Sequence, residues 1–149
     1  MSIDERWMRY LLDSLSSSAL DVPIAACAVD ASQNLIAYAS NQTIVSNDPT
    51  AHAEIVLLRL LAEKLNNYRL PEITVYVTLE PCLMCYGALL QARVKRLVYA
   101  CSDTRFGVCS RHNGLHALGE LNHHLSWQGG VLATEASQFL KAYFKNKRN

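Results

Sequence analysis

Two short stretches of the chain combine residue types that bind metal and move protons: His52-Ala53-Glu54 and Pro81-Cys82-Leu83-Met84-Cys85. One histidine and two cysteines are three zinc donors, and three protein donors leave the fourth corner of a zinc tetrahedron open for water. An open corner marks a catalytic zinc rather than a structural one. Glu54, two residues after His52, is expected to stand beside that water without binding the metal, which is where a general acid/base belongs.

A Cys-x-x-Cys alone is ambiguous, since redox pairs and four-cysteine knuckles use it too. Here it follows the apolar run Ile73 to Leu79 and opens a helix-like stretch, Leu83 to Ala92. Pro81 suits the first turn of that helix. Cys82 and Cys85 then lie one turn apart on one face, at the positive end of the helix dipole, where thiolates are favoured. No second Cys-x-x-Cys completes a four-cysteine site, so a structural zinc with a fourth ligand elsewhere is the weaker reading. Histidine-x-glutamate with a later proline-cysteine-x-x-cysteine is the pattern of zinc-dependent nucleobase deamination.

The elements that must position these residues follow from periodicity. Ile3 to about Leu20 has helical spacing at Trp7, Tyr10, Leu11 and Leu15, weakened towards Ser16-Ser17-Ser18. Ile24 to Val29 and Leu35 to Ala39 read as two strands of a hairpin around the polar turn Asp30 to Asn34. A helix is predicted from about Ala51, capped by Asp48 or Thr50, with Ile55, Leu58, Leu61, Ala62 and Leu65 inward. That puts His52 and Glu54 in its first turn. Ile73 to Thr78 and Arg96 to Ala100 read as buried strands. Residues 101–128 show little period and are expected to be loop with one short helix. Val131 to Ala133 is predicted as a last strand, and Thr134 to about Lys147 as the last helix. The order predicts one domain over 1–149: a three-layer α/β/α fold around a central mixed five-stranded sheet.

Composition bounds the rest. The 149 residues are 50% hydrophobic and 18% charged, enough for a continuous core. No apolar run approaches a membrane span, and the first residues lack the pattern of a signal peptide. With two of the five cysteines assigned to metal, no disulfide framework is expected, and a reducing cytoplasm is the expected location. The net charge of +1 is silent about partners. Lys141, Lys145, Lys147 and Arg148 form the only basic cluster, either a solvated helix end or an RNA contact. Cys109, His112, His116, His123 and His124 have spacing reminiscent of a second metal site, a reading the irregular segment around them disfavours. Cys27 and Cys101 read as small core residues.

Taken together, the chain resembles the cytidine deaminase superfamily, and within it the bacterial tRNA adenosine deaminases. The likeness runs from about Trp7 to the C-terminus. It is strongest at Asp48-Pro49-Thr50-Ala51-His52-Ala53-Glu54-Ile55, Tyr68-Arg69-Leu70, Val75 to Cys85 and Asn122-His123. By matching position, the resemblance implies that His52, Cys82 and Cys85 hold one zinc and that Glu54 shuttles protons. It implies that Asn41 contacts the substrate nucleoside and that Asp103 lies at the RNA-contacting edge. It further implies a tRNA anticodon stem-loop as substrate, wobble adenosine to inosine as the reaction, and a homodimer. Departures include Ala25 and Tyr86. A second group begins at Ala100-Cys101 and continues through Arg105-Phe106-Gly107, where Lys-Thr-Gly is common and the loop is one residue short. Two other functions compete: deamination of a free base or nucleoside such as guanine or cytosine, and a non-catalytic, zinc-stabilised partner subunit.

Overall fold

Period-two alternation in three central strands decides the architecture. In β1 (Ala25–Val29), β3 (Thr74–Leu79) and β4 (Arg96–Cys101) almost every residue is buried. Their side chains divide between two cores. Ala26, Ala28, Val75, Val77, Leu97 and Tyr99 face one way; Ala25, Cys27, Tyr76, Val98 and Ala100 face the other. A sheet apolar on both faces must be covered on both. Helices α2 (Ala53–Leu65) and α3 (Leu83–Gln91) cover the first face through Leu57, Leu61, Leu89 and Leu90. Helix α1 (Ile3–Asp13) and, after the short α4 (Val108–His112), helix α5 (Ala133–Arg148) cover the second through Met8, Leu11, Leu12 and Ala136.

This computed structural model describes the backbone of residues 1–16, 19–118, 121 and 123–148, with side chains for all of these except residues 116, 117 and 148. Expectations for Ser17, Ser18, Asn122 and the side chains of His116 and Arg148 therefore lie outside the described residues. The sheet has five strands in the order β2-β1-β3-β4-β5, with β2 at Leu35–Ser40 and β5 at Ser126–Gln128. β1 is antiparallel to both β2 and β3, whereas β3, β4 and β5 run parallel. The predicted three-layer, mixed five-stranded arrangement is the one observed.

Three local expectations are corrected. The last strand is not Val131 to Ala133 but Ser126–Gln128, which buries little beyond part of Trp127 and so carries no apolar alternation to read. Gly129 lies against the ring of Tyr99, where a Cβ would come within 2.3 Å, and Gly130 follows with φ +87°. The chain turns there, and Val131 and Leu132 pack on the α1/α5 side as a lead-in to α5. Helix α1 ends at Asp13 rather than near Leu20, because Ser14 turns its hydroxyl back onto the Leu11 carbonyl at 2.6 Å, a bond that competes with helix propagation. Finally, the buried stripe of α2 is Glu54, Leu57 and Leu61, while Leu65 is exposed. The helix is rotated so that an acidic residue faces inward.

Candidate metal centre and active site

That rotation is explained by what lies beneath α2. The helix begins at Ala53 and α3 begins at Leu83, so His52 and Cys82 are the N-cap residues of their helices. Both are extended, with ψ of 155° and 176°, and His52 makes no capping bond with its side chain. His52 and Pro81 thus precede the helices whose first turns they are predicted to join. Asp48 and Thr50, expected as caps, close a turn instead: Asp48 Oδ1 accepts from the Thr50 N–H and hydroxyl at 2.9 and 2.7 Å. Cap positions project their side chains off the helix end, and here the two ends converge.

His52 Nδ1 lies 3.4 Å from Cys85 Sγ and 3.7 Å from Cys82 Sγ, and the three donor atoms all fall within 4.8 Å of one another. Zinc–nitrogen bonds of about 2.0–2.1 Å and zinc–sulfur bonds of about 2.3 Å at a tetrahedral angle separate N and S by about 3.6 Å. The donor set fits one zinc ion in both spacing and type. Cys82 is held down to about 5, chiefly by the Cys85 thiol that donates to it. The Cys85 and Met84 backbone N–H groups and His52 help, against the opposing effect of burial. Cys85 is raised by that same bond and by burial. A metal replaces the shared proton of such a pair.

Glu54 is 4% exposed. Burial pushes its carboxyl up to about 7, and the charge of Cys82 adds to this, while its own backbone N–H and His52 oppose it. A cavity of about 600 Å³ opens in front of these groups, a size suited to one heterocyclic ligand. Ile24, Leu79 and Met84 contribute apolar wall, and Asn41 and Asp103 also line it. Leu83 and Phe106, 63% and 62% exposed, stand at its mouth. Asn41 follows β2 directly and ties its N–H to the Ile24 carbonyl at 3.0 Å. Its side-chain Oδ1 is buried and has no hydrogen-bond partner among the described residues.

Residue types and spacing do not single out Glu80, yet it builds the far wall. Glu80 is 2% exposed. Its Oε1 accepts from the Asp103 N–H at 3.0 Å, its Oε2 from the Ser110 N–H at 2.7 Å, and the Ser110 hydroxyl adds a third donor. A charged residue ending an otherwise apolar strand is the one signal that points to it. Asp21 does the same for the loop after Asn41. Burial opposes its ionisation, but bonds from the Ile44 and Val45 N–H groups and the Thr43 hydroxyl hold its carboxyl below the usual range.

The remaining candidates lie apart from this centre. Cys109 is buried in the core, His112 is exposed, and His123 Nε2 meets the Val94 carbonyl at 2.7 Å. Among the described residues no second set of three metal-ligating side chains converges. Cys27 and Cys101 are core residues. Lys141, Lys145 and Lys147 are exposed on α5, with Lys147 Nζ 5.4 Å from the Tyr143 ring centroid.

Few arrangements set a buried carboxylate of raised pKa beside three zinc donors with room for a heterocycle in front; hydrolytic zinc deaminases are the class that does. The sequence profile of the cytidine and deoxycytidylate deaminase zinc-binding region matches residues 1–101, and the chain belongs to that family. It is 44% identical over 147 residues to the tRNA-specific adenosine deaminase of Haemophilus influenzae, covering 97% of this chain and 85% of the relative. A solved structure from work on A-to-I editing by tRNA:A34 deaminases at the wobble position superposes with a TM-score of 0.76 at 37% identity, over 80% of this chain and 86% of that one. A guanine deaminase from Nitrosomonas europaea superposes with a TM-score of 0.81 at 27% identity, over 96% and 85%. Among the described residues no helix is long and apolar enough to cross a membrane.

Proposed function

We propose that the protein hydrolyses the wobble adenosine of a tRNA anticodon to inosine, with release of ammonia, the whole chain acting as one deaminase domain. The observation that carries this reading is Glu54: a carboxyl buried beside the zinc donors and facing a nucleoside-sized pocket. When bound, zinc supplies Lewis-acid activation of water near neutral pH and a positive charge that favours the ionised Glu54. Glu54 accepts the proton of the attacking water and delivers it to adenine N1. It then takes the proton of the new C6 hydroxyl and passes it to the amino group, so that the C6–N bond breaks, the C6 carbonyl forms and ammonia leaves. One carboxylate serves as base and then acid, which suits a group balanced near neutrality by burial.

Asn41 is the polar hand on the substrate, its buried Oδ1 placed to accept from a donor such as a ribose hydroxyl. Asp103 commits Oδ1 to the N–H groups of Arg105 and Phe106, both at 3.0 Å, so contact with RNA falls to its other oxygen. The target base must leave its stack to enter such a pocket, and an unpaired anticodon loop makes that easier than a duplex. The basic end of α5, Lys141, Lys145, Lys147 and Arg148, meets the RNA backbone. The Tyr143 hydroxyl bond to the Leu20 carbonyl, 3.1 Å, joins that end to the segment leading into Ile24 of the pocket. Neutralising the lysines lowers the salt dependence of RNA binding. The enzyme acts in the cytoplasm as a homodimer; exposed Leu60, Leu65 and Tyr68 offer apolar surface for the second copy.

The fold likeness to guanine deaminase favours a second reading, in which a free base is the substrate. The deciding assay offers zinc-loaded protein an anticodon stem-loop with adenosine at the wobble position, alongside free adenosine, cytidine and guanine. Inosine in the stem-loop alone supports the tRNA reading. Turnover of a free base or nucleoside with the RNA untouched overturns the substrate and keeps the chemistry. Silence on all four with zinc bound favours a non-catalytic partner subunit.

A further inference from the structure

Phe106 leaves a large ring in water at the mouth of the pocket. Exposure alone says little, because single surface apolar residues are ordinary. This one is distinguished by how firmly its backbone is held. Its N–H and that of Arg105 both donate to Asp103 Oδ1 at 3.0 Å, the Gly107 N–H donates to the Asp103 carbonyl at 3.0 Å, and the Val108 N–H donates to the Pro81 carbonyl at 3.2 Å. The loop is anchored beneath by the buried carboxylate of Glu80, which binds Asp103 at one end and Ser110 at the other. Gly107 lies so close to that carboxylate that a Cβ would meet it at 2.3 Å.

A loop fixed at both ends and in the middle holds the Phe106 backbone in place at the rim of the pocket. The Arg105 guanidinium lies 5.3 Å from the Phe106 ring centroid, and Arg111 donates to the Arg105 carbonyl, which ties down the backbone next to the ring. An exposed aromatic ring backed by a cation is the composition of a single-strand stacking site: the ring meets a base and the cation attracts phosphate.

We propose that Phe106, backed by Arg105, is a stacking platform for the unpaired nucleobase next to the one that enters the pocket. The inference rests on RNA being the substrate and adds a binding residue to that reading; Phe106 touches no reacting atom.

The test uses zinc-loaded wild type, Phe106→Ala and Phe106→Trp. Each is offered an RNA hairpin with the target adenosine in its loop and 2-aminopurine at the position on either side in turn. Wild type and Phe106→Trp quench the 2-aminopurine at one of the two positions; Phe106→Ala does not. The KM of Phe106→Ala rises roughly five- to hundredfold, with a smaller change in kcat and zinc retained. Inosine formation by wild type without quenching at either position overturns the platform and leaves the tRNA reading standing. Retained quenching and unchanged KM in Phe106→Ala also overturn it, as does loss of quenching in a zinc-loaded Phe106→Trp. A change of oligomeric state in Phe106→Ala, read by sedimentation, overturns it by assigning the ring to a second copy of the chain. Failure of wild type to deaminate the hairpin overturns the parent reading and this one with it.

Discussion

His52 and Cys82 occupy the same position in different helices. Each is an N-cap in extended conformation, and the two side chains meet with Nδ1 and Sγ 3.7 Å apart. The helix after His52 gives up a capping bond worth about 1 kcal/mol, and the three zinc donors draw the two helix ends together. Cys82→Ser separates these roles, since serine is a favoured N-cap and a poor zinc ligand. Zinc content is expected to fall well below one per chain while the helical circular dichroism signal persists. Stoichiometric zinc in that variant would remove Cys82 from the ligand set.

Glu54→Gln keeps the shape of the residue and removes its proton transfer. Turnover is expected to fall by roughly 10²- to 10⁴-fold with zinc still bound. Inosine formation and metal analysis on the same preparation check both halves, and near-wild-type activity would sink the proton-shuttle role.

Asn41→Ala should separate stability from function. The buried oxygen has no partner among the described residues, so its removal costs no bond at that atom and the melting temperature is expected to hold or rise. The kcat/KM for the RNA substrate should drop about ten- to hundredfold if that oxygen binds the nucleoside. A lowered melting temperature with normal kinetics would mark Asn41 as a structural residue only.

Gly107→Ala tests the wall built on Glu80. Gly107 has φ −68° and ψ 131°, a conformation alanine adopts freely, so any penalty is steric. The methyl group would collide with a carboxylate that cannot shift without straining its bonds to Asp103 and Ser110. A loss of about 1–3 kcal/mol is expected, a drop of several degrees on thermal melting. An unchanged melting temperature would show that the Glu80 cluster is loose.

Asp4→Asn probes how α1 is fastened to the sheet, and its effect depends on pH. Arg96 donates twice to Asp4, at 2.9 and 2.6 Å, and the Tyr76 hydroxyl donates at 2.8 Å. Foremost the Arg96 bonds hold the Asp4 carboxyl below its ordinary 3.8, with burial opposing. A carboxyl depressed in the folded state stabilises fully above its unfolded value and loses that stabilisation as pH falls through its folded value. Wild type should therefore exceed the variant by about 1–2 kcal/mol at pH 7, and the gap should close below pH 3.8. A gap that persists into strong acid would mean that the contribution is packing rather than charge.

Much of the site is legible in the amino-acid sequence because its parts are local. His52 and Glu54 are two residues apart and Cys82 and Cys85 three, and such spacings survive in any backbone the chain adopts. The strands β1, β3 and β4 are legible for a similar reason, since a double-sided apolar run has few ways to hide from water. The fifth strand is not, because Ser126–Gln128 sits at a sheet edge and buries too little to leave a pattern.

Residue types and their spacing thus suffice for three zinc donors, for the acid/base role proposed for Glu54 and for a three-layer fold to hold them. The direction α2 faces is settled only by packing across the fold. Glu54 turns inward on the face that carries Leu57 and Leu61, while Leu65, on the same face at the far end of the helix, is exposed. Packing likewise joins Glu80 to Ser110 across 30 residues and so shapes the loop that ends in Phe106. Local spacing encodes which groups act, whereas a pocket wall is made of contacts between distant residues, and one chain's spacing carries no record of those.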